Sequence, residues 1–263
     1  MRDEKSYIDV TETPGGGASE EQLSMLLTRY NLATKFSENK LVLEIACGSG
    51  TGLSYLASKA KFLYACDIDP DLVLIAKNNV GKSNNIVVTE ADAHKLPYTD
   101  ANFDTIVFFE AIYYISDINL FISEILRVLK SNGVIVISTV NCEWHGFNPS
   151  PFSVKYYSAS ELLNLFSSSF VREKSIYFGY KNKVTYKNFL SSLFKILAVK
   201  LKLMPKTMGG KRLLKRLFMG KLRPIPKDIN EGIAHIEPLV LGDKITSNEI
   251  KNYKQIYLIT KKI

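Results

Sequence analysis

The sequence predicts a doubly wound α/β fold, and three observations carry the prediction. Leu41–Gly52 (LVLEIACGSGTG) is a short apolar run that ends in small residues and is followed by a helical pattern, the first strand–turn–helix unit of such a sheet. Short apolar runs then alternate with helical patterns as far as Asn141. Acids stand at the ends of several of those runs: Asp67, Asp92 and Glu110.

Composition narrows the field. The 263 residues are 46% hydrophobic, enough for a full core, and no apolar run reaches bilayer-spanning length. The first ten residues are charged and carry no apolar signal region. The three cysteines, Cys47, Cys66 and Cys142, are too few and scattered for a disulfide framework or a zinc site. Together these suggest a reducing cytoplasm, with no metal expected. The net charge of +8 is local. Lys181–Arg223 holds thirteen of the 34 Lys and Arg and no Asp or Glu, so the remainder is net −5.

Taken in order, residues 1–18 read as a loop ending in the flexible Thr13-Pro14-Gly15-Gly16-Gly17. Ser19 caps a helix with Gln22 completing a capping box, and Leu23, Leu26, Leu27, Tyr30 and Ala33 recur at helical spacing. Residues 1–38 thus form an N-terminal cap segment. Leu53–Lys59 continues the first crossover helix, and Phe62–Cys66 is the second strand. Asp69-Pro70 caps a helix over Leu72–Asn79. Strands follow at Ile86–Thr89 and Thr105–Phe109, the latter apolar throughout as a central parallel strand should be. An amphipathic helix over Asp117–Lys130 is expected to end at Asn132-Gly133, with the fifth strand over Gly133–Asn141. Ser158–Phe166 reads as a helix, Val171–Tyr180 and Asn252–Lys261 as the last two strands. The seventy residues between those strands are abnormal for a hairpin, so 181–250 reads as an inserted lid within a single domain.

The opening turn sorts candidate ligands. A dinucleotide fingerprint fits Gly48 and Gly50 but places Leu53 where the third glycine belongs, and no Gly-Lys pair makes a phosphate loop. Glu44 inside the strand is awkward beside a pyrophosphate and comfortable beside a cation. Glu44-x-Ala46-x-Gly48-x-Gly50 resembles the first motif of class I S-adenosylmethionine (SAM) dependent methyltransferases, with Ala46 in place of the commoner glycine. Asp67, 17 residues beyond Gly50, stands where an acid meets a ribose. Asp92-Ala93-His94-Lys95-Leu96-Pro97-Tyr98 resembles the family's adenine turn. The resemblance runs from Leu41 to Asn141 and is similar to the type 11 methyltransferase domain.

That resemblance implies a Rossmann-like, seven-stranded, mostly parallel sheet with helices on both faces and an antiparallel last strand. It implies SAM as cofactor, held by Glu44, Ala46, Gly48, Ser49, Gly50, Asp67, Ile68, Asp92, Ala93 and Glu110. The N-terminal helix is expected to close over the cofactor or simply to pack. Segments such as TETPGGGASEEQ, NPSPFS and MPKTMGGKRLLKRLFMGKL are similar to bacterial methyltransferases of surface-glycan and secondary-metabolite pathways.

In-line methyl transfer to oxygen of a small-molecule or glycan acceptor is the expected reaction. For a base, His145 in the aromatic loop Cys142–Tyr157 leads, followed by Tyr113 and Tyr114, then Glu143 and Tyr156. The basic insertion offers two amphipathic stretches, Lys187–Met204 and Gly209–Leu222. They read as a packed lid, as attachment at 187–222 to an anionic inner-membrane face, or as a pocket for an anionic acceptor. Nucleic acid ranks third, for want of a recognition module. The rivals to a small-molecule enzyme are a non-catalytic SAM-binding or membrane-surface adaptor and an RNA or protein methyltransferase.

Overall fold

Five parallel strands form the heart of the computed structural model, which describes residues 7–150, 152–166, 171–181 and 222–263. They are β2 (Leu41–Ile45), β3 (Phe62–Asp67), β4 (Ile86–Glu90), β5 (Phe103–Phe109) and β6 (Leu129–Val140). The sheet runs in the order β4-β3-β2-β5-β6-β10-β7-β9. β10 (Tyr253–Lys262) enters antiparallel between β6 and β7 (Val171–Lys181), as the long-separated hairpin predicts. An eighth, two-residue strand, β9 (Val240–Leu241), adds to the edge beside β7.

The pleat sends alternate residues to opposite faces. Val42, Val107, Val136 and Tyr257 join one core with α1 (Glu20–Ser37), α2 (Leu53–Ala57) and α3 (Pro70–Val80). Leu43, Ile106, Ile135 and Leu258 join the other with α4 (Ile118–Val128) and α5 (Ala159–Leu165). The expected caps are present, Ser19 with Gln22 on α1 and Asp69 on α3, and Asp117 caps α4 and Ser158 with Glu161 caps α5.

Two local expectations change. Asn132-Gly133 does not end α4. The helix stops at Val128, Leu129 is already extended and pairs with Phe103, and Asn132 takes φ +62 where the β5–β6 ladder slips. The two residues therefore make a bulge, because ladder bonding to β5 replaces a further helical turn. Nor is the glycine run before α1 a free loop. Gly15 N–H donates to Ile225 O and Ile225 N–H to Gly16 O, each at 2.8 Å, and β1 (Gly17–Ala18) pairs with β8 (Arg223–Pro224).

That clasp belongs to the end of the insertion. Ile225, Ile229 and Ile233 are buried in the α1–α2 core, each burial favouring this seating by about 1.5–3 kcal/mol. Ser24 and Thr28 of α1 both bond the Tyr180 hydroxyl at 2.8 Å, Ser24 also donates to His235 O, and Thr28 accepts from Glu237 N–H. A short helix, α6 (Ser247–Ile250), leads into β10. Both amphipathic stretches between 187 and 222 lie outside the described residues, Leu222 excepted. No helix among the described residues is long and apolar enough to cross a membrane.

Candidate functional site

A cavity of about 380 Å³ opens at the C-terminal ends of β2, β3 and β5, the place where this kind of sheet binds ligands. Three elements wall it. The β2–α2 turn brings Ala46, Gly48 and Ser49; the turn after β4 brings Ala91–His94; and the chain leaving β5 brings Glu110, Tyr113 and Tyr114. α1 closes one side with Gln22, Met25, Leu26 and Arg29, a single helical face at i, i+3, i+4 and i+7.

The glycine turn is satisfied from within. Gly48 N–H donates to Asp67 Oδ2 at 2.8 Å and Gly50 N–H to Cys47 O at 3.1 Å. A turn whose N–H groups are spent in this way, beside a carboxylate, does not suit a pyrophosphate. Gly48 and Gly50 take φ of +55 and +74, and a Cβ on Gly50 would sit 2.8 Å from that of Ala76. Ala46 also takes φ +55, so its difference from glycine is small in size but costs backbone strain.

Asp67 is buried, with Oδ1 accepting from Asp69 N–H at 3.0 Å. Burial raises its carboxyl above the usual range, and the Asp69 and Gly48 N–H groups oppose that. Asp69 is spent elsewhere, capping α3 and accepting from Tyr7 N–H at 2.9 Å. Ile68 stands at the rim, 53% exposed, an apolar side chain with one open face. Across from it Asp92 Oδ1 accepts from both the N–H and the ring of His94, whose Nε2 in turn accepts from Asp117 N–H at 3.2 Å. His94 thus braces the turn against α4. Burial works against it, but the His94 contacts hold the Asp92 carboxyl below its usual range.

Glu44 is almost fully buried. Its Oε1 accepts from Tyr30 OH at 2.5 Å and its Oε2 has no partner. Burial pushes its carboxyl up to about 7, with Tyr30 and Arg29 pulling the other way. Arg29 donates from Nη2 to Glu12 at 2.5 Å, and its buried Nε is unpartnered. Glu44 and Arg29 both line the cavity, and each carries a buried polar atom without a protein hydrogen-bond partner.

Glu110 sits half-buried at φ +50 just beyond β5. Its Oε1 accepts from Ser138 OH at 3.2 Å, and the Gln255 amide, turned with Nε2 inward, donates to the same oxygen at 2.9 Å. Burial raises its carboxyl, and Arg29 is the main opposing charge.

Residues 7–12 form a strap over the mouth. Ser49 Oγ donates to Glu12 O at 2.6 Å, Tyr7 is tied to Asp69, and the Tyr7 ring meets Tyr114 edge-on at 5.4 Å. The closing element is therefore this strap together with α1.

All ten residues expected to hold the cofactor lie on or beside the cavity, Gly50 within the turn behind it. Tyr113 and Tyr114 line it too. Burial raises both phenols, which favours them as walls and donors over bases. His145 is not brought there. It is exposed, its N–H donates to Lys251 O, and it does not line the cavity. Its loop instead supports Tyr113 from outside: Val154 N–H donates to Tyr113 O at 2.7 Å and Tyr156 stacks on the Tyr113 ring at 4.7 Å. Glu143 is exposed on the same loop.

The sequence reading missed Arg29, Glu12 and Gln255 and treated Tyr30 only as core. Arg29 left a signal, a cation on the same helical face as Gln22, Met25 and Leu26. Glu12 and Gln255 left none, because the chain crossing and strand order that place them are not local.

Residues 43–137 match the family model described as "Methyltransferase domain". A "probable S-adenosylmethionine-dependent methyltransferase" of Mycobacterium tuberculosis is 32% identical over 130 residues, 47% of this chain and 46% of that one. A fatty-acid O-methyltransferase of Mycolicibacterium smegmatis is 36% identical over 117 residues, 41% and 42% of the two chains. The chain spans about half the length of the curated relatives it matches. The crystal structure of a 4+2 cyclase superposes with TM-score 0.59 at 17% identity, covering 98% of this chain and 90% of that one, which shows the fold alone.

Proposed function

We propose that this chain, which carries a class I SAM-dependent methyltransferase domain, transfers the methyl group of SAM to an oxygen of a small-molecule or glycan acceptor. The observation that carries the cofactor reading is a cavity at the strand ends lined by the carboxylates Glu44, Asp67, Asp92 and Glu110, with Arg29 beside Glu44. In this reading Glu44 takes the ammonium and Arg29 the carboxylate of the methionine end. Asp67 accepts from the ribose hydroxyls, Ile68 packs on the adenine, and Asp92 with Ala93 N–H meets its edge.

Bound SAM supplies an electrophilic methyl on a sulfonium. The residues supply alignment and exclusion of water, which is what an in-line displacement needs. The strap and α1 wall the cavity on one side, and Tyr113 and Tyr114 line it as well. Oxygen as the acceptor atom draws support from relatives such as the fatty-acid O-methyltransferase. We further propose that the basic segment within 187–222 attaches the protein to an anionic membrane face, on the strength of its sequence.

An acceptor screen with methyl-labelled SAM tests the reaction. Label recovered on oxygen of a glycan or small molecule supports it. Label only on RNA or protein, or SAM binding with no transfer to any acceptor, replaces it with the corresponding rival.

A further inference from the structure

We infer that the acceptor end of this cavity takes an uncharged hydroxyl carried on an apolar or aromatic body, and that Glu110 accepts the hydrogen bond of that hydroxyl and turns negatively charged acceptors away. The inference rests on the cofactor reading above, which assigns Glu44, Arg29, Asp67 and Asp92 to SAM, and it moves Glu110, expected from sequence to hold the cofactor, to the acceptor. Of the charged side chains lining the cavity, that leaves Glu110, Glu12 and His94.

His94 is spent between Asp92 and Asp117, and Glu12 is spent on Arg29. Arg29 is the sole Lys or Arg among the described residues that line the cavity. Glu110 is therefore the lining carboxylate that remains, with no direct ion pair among the described residues and with Arg29, already bonded to Glu12, as its main opposing charge. Its partners behind, Ser138 and Gln255, are neutral donors that orient the carboxylate without cancelling it. Tyr113 and Tyr114, 4.5 Å apart and edge to face, supply an apolar wall, and Met25 of α1 also lines the cavity. The wall is rigid: Tyr113 is held by the Tyr156 ring and by two N–H donors, and Tyr114 by the Tyr7 ring.

A carboxylate or phosphate acceptor entering here meets Glu110, whose main opposing charge, Arg29, is already paired with Glu12. Like charges facing each other in a desolvated site are strongly disfavoured. A neutral hydroxyl donates to Glu110 and lays its body on the tyrosines. An anionic acceptor, one of the readings open from sequence, is thereby disfavoured at its reacting end.

The test uses the full chain with phenol and benzoate, which share size and shape and differ in charge. Binding is read by ligand-detected NMR with and without saturating S-adenosylhomocysteine. Phenol is expected to bind about tenfold or more tightly than benzoate, and Tyr114→Ala to weaken phenol. Glu110→Gln, isosteric and uncharged, is expected to raise benzoate relative to phenol by about tenfold. Benzoate binding the native protein as well as phenol does, no detectable phenol binding, or an unchanged ratio in Glu110→Gln overturns the inference. Calorimetry with S-adenosylhomocysteine on the same samples separates the two readings, since its failure removes the cofactor assignment while the phenol-to-benzoate ratio is still measured.

Discussion

Ala46 illustrates how much chemistry one position holds. It is an L-residue at φ +55, a conformation that costs roughly 1–2 kcal/mol outside glycine. Glycine would relieve that strain but add about 0.5–1 kcal/mol of unfolded-state entropy. Ala46→Gly is therefore expected to stabilise the protein by about 0.5 kcal/mol, seen as a higher urea midpoint at unchanged slope. The sequence showed the substitution but not its sign, because the dihedral is set by how β2 leaves the sheet.

Glu44 yields a pH prediction. Its carboxyl titrates at about 7 in the folded protein, above its ordinary 4.5, so the folded state binds the extra proton. Its contribution to stability is present below the ordinary value and is lost as pH rises through about 7. Binding a cation needs the carboxylate, so SAM affinity should rise with pH up to about 7 and then level, with protons released at pH 6. Tyr30→Phe removes a hydrogen bond that favours the charged form and should move that rise to higher pH. Calorimetry in buffers of different ionisation enthalpy reads both. Affinity independent of pH between 5 and 8 would remove Glu44 from the ammonium role.

Among elements, the strand–turn–helix core was legible because its signals are local: short apolar runs, the helical spacing of apolar residues, Ser19 with Gln22, Asp69-Pro70. The strap was not. Residues 7–12 look like a polar leader, and only packing shows Ser49, Asp69 and Arg29 gripping them. Nor does sequence show Ile225 threading back between Gly15 and Gly16. For the same reason His145 stood out in the aromatic loop, yet the loop serves Tyr113 from behind. We propose that the strap opens to admit SAM and closes to retain it. Hydrogen exchange at the Tyr7 and Gly15 amides should therefore slow about tenfold or more when SAM saturates the protein. Unchanged exchange at those amides would mean that the strap does not respond to the cofactor.

At the scale of the whole molecule the charge is divided. Outside Lys181–Arg223 the chain is net −5, and the cavity concentrates that sign around a cationic cofactor; the thirteen positive charges lie in one stretch. The ends of that stretch are anchored beside α1, Tyr180 on Ser24 and Thr28, Arg223 paired with Glu20. If the stretch docks on anionic lipid, charge reversal across Lys211–Arg216 should abolish sedimentation with phosphatidylserine vesicles, and salt should weaken it in the native protein. Vesicle binding unaffected by the reversal would remove the membrane partner.

The central claim is that the acidic cavity at the strand ends holds SAM, and calorimetry with SAM tests it most directly. The intact protein is expected to bind one equivalent. Asp67→Ala, which removes the carboxylate proposed to meet the ribose and the acceptor of Gly48 N–H, is expected to weaken binding by about 100-fold or beyond detection. No binding by the intact protein, or equal binding by Asp67→Ala, would contradict it.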